Sequence, residues 1–219
     1  MYCRVSGCRR RTSRWGAYCN THKSRDRRHG DPNQQTITAA DLKPYLKAVR
    51  ARIERNEGRP LWPLLDQRWN ALLDHCRGYL AMCERGVPFQ KDHRTACYQL
   101  TRLAEYGEPR AVVETVLAMY MLLDQDPRRF RSDRSFRFQL VRRVRGLSDV
   151  NAGEYYDHHS GKVKRVYRDL APRAAEQFAK LVIDALGLAG VHLAGLERQQ
   201  AEQKKVVVQN YHEALRQIT

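Results

Sequence analysis

Three cysteines and a histidine near the start of the chain restrict how its first segment can fold. Their spacing is Cys3-x4-Cys8-x10-Cys19-x2-His22. Two short-spaced pairs of soft or borderline ligands, joined by a loop, can surround a tetrahedral zinc ion. The spacing therefore predicts a module of the zinc-knuckle or treble-clef-like type, with one structural zinc ion bound by Cys3, Cys8, Cys19 and His22.

The segment around these ligands has little else to bury. Its candidate core residues are Val5, Trp15 and Tyr18, so metal binding would have to supply most of its folding free energy. His29 competes as a fourth ligand, but the Cys19-x2-His22 spacing favours His22 because it places two ligands one helical turn apart. Two alternatives are that these are unrelated surface cysteines, and that the zinc ion is purely structural in a module that binds no partner molecule.

A basic tail follows the ligands, with the sequence Arg27-Arg28-His29-Gly30-Asp31-Pro32. Together, the ligand spacing and this tail resemble the small zinc-binding module at the N-terminus of phage and mobile-element HNH endonucleases. That family usually has aromatic residues where this chain has Lys23 and Asp26. The resemblance covers residues 3–32 only and implies a DNA-associated module in a phage or mobile-element setting. It transfers no activity to the rest of the chain, which we do not recognise.

The net charge of +16 is concentrated in two blocks. Residues 1–36 carry nine Lys/Arg and two acids, and residues 127–173 carry thirteen Lys/Arg and five acids. Solubility alone does not require such segregation, whereas a polyanionic partner favours it. Arginine outnumbers lysine in both blocks, which favours bidentate contacts to phosphate or guanine.

We therefore predict that the protein binds double-stranded DNA through the basic residues of both blocks. The predicted contacts in the first block are Arg9, Arg10, Arg11, Arg14, Arg25, Arg27 and Arg28. Those in the second block are Arg131, Arg134, Arg137, Arg142, Arg145, Lys162, Lys164, Arg165 and Arg168.

The remaining sequence predicts a mainly α-helical protein with one β-hairpin. Residues 1–32 form the zinc-binding module and residues 33–40 a linker. Residues 41–108 form a helical body, with Asp41 as a helix cap and Pro44 in the first turn. Residues 171–219 form C-terminal helices, the first of which ends at Gly187/Gly190. The last helix has fewer than three clean heptads, so a homodimer is an open alternative.

Residues 109–170 are interpreted as a winged helix-turn-helix. An apolar helix at about 110–124 precedes a basic helix capped by Ser132 or Asp133, and Phe136, Leu140 and Val144 recur every four residues along the basic helix. Residues 154–168 then predict a β-hairpin whose second strand is basic. This order of elements is typical of a reading helix flanked by a wing. The alternative is an ordinary α+β domain with a solvated basic face.

A second chemical pattern lies at the tip of the predicted hairpin. Asp157, His158 and His159 could contribute to an HNH-like metal-dependent nuclease, but the helix from about Pro172 has no Asn or His before His192. One limb of the catalytic constellation is therefore missing, and we predict that the protein is not an enzyme.

A third pattern is a set of thiols in the helical body. Cys76, Cys83, Cys97 and His93 could form a second metal site. Each cysteine lies on the apolar stripe of its helix, which favours burial as a small hydrophobic residue.

These patterns predict a zinc-containing DNA-binding protein of phage or mobile-element type that regulates transcription, replication or recombination. The alternatives are an accessory protein that modulates a DNA-processing enzyme, such as a recombinase or polymerase, and the divergent nuclease. No apolar run approaches the roughly 18–20 residues that span a bilayer, and no signal sequence is evident. We therefore expect a cytoplasmic protein of a bacterial or phage-infected cell, without a membrane partner.

Overall fold

The computed structural model describes residues 1–13 and 15–218, except for the side chains of Arg165, Ala214, Leu215, Gln217 and Ile218. The predicted DNA contact at Arg14 lies outside the described residues. The described residues form seven α-helices, two short 3-10 helices at Pro127–Arg129 and Asp149–Asn151, and a two-stranded antiparallel hairpin. The helices are α1 Asn20–His29, α2 Ala39–Arg55, α3 Leu61–Glu84, α4 Lys91–Tyr106, α5 Pro109–Gln125, α6 Asp133–Arg145 and α7 Pro172–Ile218. The strands are β1 Ala152–Asp157 and β2 Lys162–Tyr167. The prediction of a mainly α-helical protein with one hairpin is confirmed.

Helix α5 lies at the centre of the core. Every residue from Val112 to Leu122 is buried, as expected for a helix that is apolar on most of its circumference. It packs against α2, α3, α6 and α7. One cluster of buried residues includes side chains from α2 through α7, so the predicted segments 41–108, 109–170 and 171–219 share a core.

The N-cap of helix α2 lies three residues before the predicted one. Thr38 is the N-cap, and its Oγ1 accepts a hydrogen bond from the Asp41 backbone N–H at 3.2 Å. Asp41 Oδ2 accepts one from the Thr38 backbone N–H at 2.7 Å, which completes a capping box. Asp41 is therefore the third helical residue rather than the cap. In α6, the hydroxyl of Ser132 caps by accepting from the Ser135 N–H.

The predicted linker 33–40 is held against the second basic block. Gln34 is buried, donates from Nε2 to the Arg129 carbonyl at 2.9 Å and accepts the Arg131 N–H at 3.0 Å. The Ile37 N–H donates to Gln139 Oε1 at 2.9 Å, and the Ile37 side chain is fully buried. These contacts make the segment part of the folded body.

Helix α7 continues for 47 residues through the predicted break at Gly187/Gly190. A Cβ on Gly187 would lie 2.7 Å from the Tyr120 hydroxyl, and one on Gly190 would lie 2.4 Å from Tyr120 Cδ2. The two glycines therefore admit the Tyr120 ring between α5 and α7 instead of ending the helix. Beyond the core, Val206, Val207, Val208 and Tyr211 are exposed. The homodimer remains a prediction.

Part of α7 also meets the length and composition criteria for crossing a membrane. The span is Pro172–Glu213, and 39% of its most apolar 18-residue window is buried within the protein. A core helix of a soluble protein meets the same criteria. The prediction that the chain lacks a membrane-spanning segment is not confirmed, and the cytoplasmic location remains a prediction.

Candidate metal centre and basic surface

The N-terminal module is a short looped segment closed by α1. The Cys3 N–H donates to the Arg10 carbonyl and the Arg4 N–H to the Ala17 carbonyl, both at 3.0 Å. Gly7 adopts a φ of 76°, a left-handed conformation that glycine enters without a Cβ penalty. These bonds fold the loop back so that Cys3 and Cys8 face the start of α1.

The start of α1 supplies the other two ligands. Cys19 is the N-cap, and His22 lies in the first turn. The four ligand atoms of Cys3, Cys8, Cys19 and His22 all lie within 4.8 Å of one another. His22 Nδ1 is 3.3 Å from Cys3 Sγ and 3.4 Å from Cys19 Sγ, and Cys8 Sγ is 3.9 Å from Cys19 Sγ.

These separations fit a tetrahedral metal site. Zn–S and Zn–N bonds of about 2.3 Å and 2.0 Å, at tetrahedral angles, place S and N about 3.5 Å apart and two sulfurs about 3.8 Å apart. The donor set of three thiols and one imidazole is among those that structural zinc sites use. The predicted Cys3His cluster is confirmed as a group that could hold a metal ion.

The protonation of one of the thiols, that of Cys3, also favours a metal, whereas the pKa of Cys8 is raised by burial and by its contacts with Cys3 and Cys19. Burial raises the pKa of Cys3, but hydrogen bonds to its sulfur have the larger, opposite effect and bring the pKa down to about 6. These bonds involve the backbone of Cys19 and Val5 and the side chains of His22 and Cys8. The thiolate is the form that binds metal. Cys3, Val5 and Cys19 form a small buried cluster, with Cys8 and Tyr18 packed against it. Trp15 is 87% exposed, so its predicted place in the module core is wrong.

His29, the alternative fourth ligand, lies at the other end of α1. Its Nδ1 is 3.1 Å from Gln139 Nε2 on α6. Burial lowers the pKa of His29 to about 4, and the charges of Arg142, Arg25 and Arg28 add to this effect against the opposing charge of Asp169. The structure thus separates His29 from the ligand cluster and makes it a contact between the module and the body.

The structure brings together only two residues of the alternative second metal site, Cys76 and Cys97, whose thiols share a hydrogen bond. Cys76 and Cys97 are fully buried in the core. The His93 ring packs edge-on against Tyr79 at a centroid distance of 4.5 Å, and its Nδ1 is 3.4 Å from Gln177 Oε1. Among the described residues, the N-terminal Cys3His group is the one cluster of potential ligands.

The module docks on α6 and brings the two basic blocks together. Arg134 Nη1 lies 3.2 Å from Asp26 Oδ1 on α1, and its Nε lies 3.0 Å from Glu176 Oε1 on α7. Asp169, which follows the hairpin, pairs with Arg28 of the first block and Arg142 of the second. Two segments more than a hundred residues apart therefore form one surface.

The predicted contact residues differ in their exposure. Those of the module are all exposed among the described residues: Arg9, Arg10, Arg11, Arg25, Arg27 and Arg28. Arg131 before α6, and Lys162, Lys164 and Arg168 on and after β2, are also exposed. The side chain of Arg165 lies outside the described residues. In α6, the four predicted contacts are half-buried: Arg134, Arg137, Arg142 and Arg145.

Helix α6 is largely covered, so the winged helix-turn-helix is not confirmed. Seven of its 13 residues are buried, and α1, α5 and α7 pack around it. Arg145 donates to Gln99 Oε1 and to the Arg168 carbonyl rather than pointing into solvent. A reading helix must present a free face to the major groove, and the internal contacts of α6 occupy much of its circumference.

The hairpin projects its side chains into solvent on both faces. Tyr155, Tyr156, Val163 and Val166 are each about half exposed or more. At its tip, Asp157 accepts hydrogen bonds from the His159 N–H at 3.1 Å, the Ser160 hydroxyl at 2.8 Å and Lys164 Nζ. These bonds, that of Lys164 first, hold the pKa of Asp157 below its usual value. The carboxylate thus stabilises the turn.

Comparison with known proteins yields no match. No protein-family model, no curated protein and no solved structure is significantly similar to the chain. The resemblance of residues 3–32 to the HNH-endonuclease module therefore remains a prediction.

Two residues at the junction of the module, α6 and the hairpin were missed by the sequence analysis. Asp169 bridges the two basic blocks, and Arg143 lines a cavity with three other arginines. The Arg142-Arg143-x-Arg145 run was a visible signal for Arg143. The sequence contains no signal for the role of Asp169, because Arg28 and Arg142, its two partners, are distant from it in sequence.

Proposed function

We propose that this protein is a zinc-containing DNA-binding protein of phage or mobile-element type. The metal ion held by Cys3, Cys8, Cys19 and His22 would be zinc, with the structural role of fixing α1 on the loop. The protein would act on transcription, replication or recombination by occupying duplex DNA. The hairpin would take the part of a wing beside the module, contacting phosphates through its basic arm.

The observation that carries this proposal is the union of the two basic blocks at Asp169. One acid is shared by Arg28 and Arg142, and Arg25 and Arg27 of α1 and Lys162 of the hairpin are exposed. Like charges are costly to assemble unless a counter-charge joins them. A duplex phosphate backbone offers that counter-charge along its length, and its neutralisation releases bound cations.

A mobility-shift assay across a salt series tests the proposal. We expect the zinc-loaded protein to shift a random duplex at about 50 mM salt and to lose affinity steeply toward about 200 mM. Arg25→Gln and Arg27→Gln should each reduce the slope of log K against log salt by up to about one. Arg85→Gln is the matched control, because Arg85 is exposed at the end of α3, outside both blocks.

Two results would overturn the proposal. One is the absence of any shift on random duplex DNA at low salt, which would favour the accessory protein with an acidic protein partner. The other is an equal loss of affinity in Arg85→Gln and Arg25→Gln, because binding would then follow net charge alone.

A further inference from the structure

A cavity between α6, the hairpin and the start of α2 gathers four guanidinium groups. Its volume is about 230 Å³, below the roughly 300–1,000 Å³ of pockets that enclose drug-sized ligands. The charged residues that line it are Arg142, Arg143, Arg145, Arg168 and Asp169. The uncharged lining residues are Ala39 at the start of α2, Gly146 after α6, Asn151 before the hairpin and Tyr167 at its end.

The positive charge in this cavity exceeds the negative charge that faces it. Asp169 is its one acidic lining residue, and that carboxylate already pairs with Arg142 and Arg28. Arg145 donates to neutral acceptors, the Gln99 amide oxygen and the Arg168 carbonyl. Arg143, Arg145 and Arg168 thus form no ion pair with the one lining acid. The other carboxylate that acts on Arg143 is that of Asp41, which pairs with Arg129.

Two donors of the lining arginines, buried behind the cavity surface, are also left without acceptors. The Nε atoms of Arg142 and Arg143 are buried and have no hydrogen-bond partner among the described residues. An unsatisfied buried donor is unfavourable, and a charged one more so. Burial and the charge of Arg142 lower the pKa of Arg143, and burial lowers the pKa of Arg145 to about 10. Both directions show guanidinium groups partly removed from water, which the nearby charges of Asp41 and Asp169 offset only in part.

We propose that this cavity binds a phosphate group, and that the group is the terminal phosphate monoester of a nucleic-acid strand. Guanidinium groups match phosphate oxygens with bidentate hydrogen bonds. A monoester carries about −1.5 to −2 at neutral pH, more than the single charge of an internal phosphodiester, and so suits the excess charge better. The identity of the strand rests on the proposed function, whereas the affinity of the cavity for phosphate does not.

The first experiment measures thermal unfolding of the full zinc-loaded chain with inorganic phosphate, against chloride at equal ionic strength. We expect about 10 mM phosphate to raise the Tm by a few degrees. The rise should be lost in Arg143→Gln and in Arg168→Gln, and kept in Arg85→Gln, which lies outside the cavity. Arg168 is exposed, so its variant keeps the test informative if Arg143→Gln does not fold. No phosphate-specific rise, or an equal rise in all variants, overturns the proposal.

The second experiment identifies the source of the phosphate. Two oligonucleotide duplexes of one sequence, with either a 5′-phosphate or a 5′-hydroxyl, are compared in binding. A terminal phosphate in the cavity should make the phosphorylated duplex bind about tenfold tighter, and Arg143→Gln should remove that difference. Equal affinities that fall together in Arg143→Gln would replace the terminal phosphate by an internal one and overturn the monoester assignment.

The two proposals fail in different ways. If inorganic phosphate raises the Tm and neither duplex binds, the proposed function fails and the cavity serves a free phosphate compound. If both duplexes bind equally, without any effect of phosphate or of Arg143→Gln, the cavity proposal fails and the DNA-binding function stands.

Discussion

Gly30 lies directly against the backbone of Arg134. A Cβ built on Gly30 would be 2.9 Å from the Arg134 carbonyl oxygen and 3.1 Å from the Ser135 nitrogen. Gly30 ends α1 with a φ of 80°, and its N–H donates to the Asp26 carbonyl. The metal module therefore meets α6 through a residue for which both the conformation and the space exclude a side chain.

Replacing Gly30 should separate the module from the body. We expect Gly30→Ala to lower the free energy of unfolding by about 2–3 kcal/mol, because the strained φ and the backbone clash add. Gly86 has a φ of 83°, and no described atom lies within 4 Å of its Cβ position. Gly86→Ala should therefore lower the free energy of unfolding by only about 1 kcal/mol. Urea unfolding of both variants checks this, and equal losses would contradict the contact.

Metal content should depend on the four ligands and not on the other cysteines. We expect about one zinc ion per chain by elemental analysis, falling to near zero in Cys19→Ser because three ligands bind zinc far more weakly. Cys83→Ser is the matched control, since Cys83 lies outside the cluster. Circular dichroism should show that most of the helix content survives chelation. Zinc retained at full stoichiometry in Cys19→Ser would refute the site.

Acidification should weaken the protein through His29. The pKa of His29 is about 4 in the folded protein and about 6.5 when unperturbed, so the unfolded chain binds the proton more readily. Stability therefore falls as the pH drops from about 6.5 toward 4. Because the residue is half-buried, we expect a loss of about 1 kcal/mol between about pH 7 and pH 5.

The matched variant for this pH effect is His29→Gln, which keeps an acceptor for Gln139 and removes the titrating group. Chemical unfolding at both pH values should give a smaller loss in His29→Gln than in the wild type. Identical pH dependence in the two proteins would assign the effect to other groups.

Replacing a packed and an unpacked glycine of α7 by alanine should change the stability of the protein in opposite directions. Gly190→Ala should destabilise the protein by about 2–4 kcal/mol, because its Cβ position is 2.4 Å from Tyr120 Cδ2. Gly195 has no described atom within 4 Å of its Cβ position, so Gly195→Ala should stabilise by about 0.5–1 kcal/mol through helix propensity. Thermal unfolding distinguishes them, and a neutral Gly190→Ala would disprove the close packing of α5 on α7.

The tip of the hairpin should not cut DNA. Asp157 is occupied by the Ser160 hydroxyl, the His159 N–H and Lys164, so we expect plasmid DNA to remain intact with Mg²⁺ or Mn²⁺. The measurement is gel analysis of supercoiled plasmid over several hours. Cleavage that His159→Ala abolishes would reverse this expectation and establish a nuclease.

Several local features followed from the sequence because their causes are local. The Cys3His spacing identified the four residues that could hold a metal ion, since four donors within twenty residues leave few other ways to order so polar a segment. The helix periodicity of residues 41–145 was equally readable, and so was the hairpin, because strand formers flank Ser160-Gly161. The predicted N-cap of α2 was wrong because Thr38 and Asp41 form a reciprocal capping box, and only the structure shows that Thr38 occupies the N-cap position.

The errors arose where a distant partner decides the outcome. Gly187 and Gly190 were interpreted as a helix end, yet both accommodate the Tyr120 ring from α5. The basic face of α6 suggested a free reading helix, yet Arg134 and Arg142 pair with Asp26 and Asp169. A sequence pattern records which side chains share a helix face but not what packs against that face.

The sequence by itself determined the four candidate metal ligands, the helical class and the two blocks of positive charge. All three depend on residue type and on spacing over one or two turns of chain. Only the tertiary structure decided that the blocks meet at Asp169 and that four arginines enclose one cavity. The physical reason is that charge–charge interactions and the shape of a cavity depend on distances through space. Those distances are set by the packing of α5, α6 and α7 rather than by the local conformational preferences of the chain.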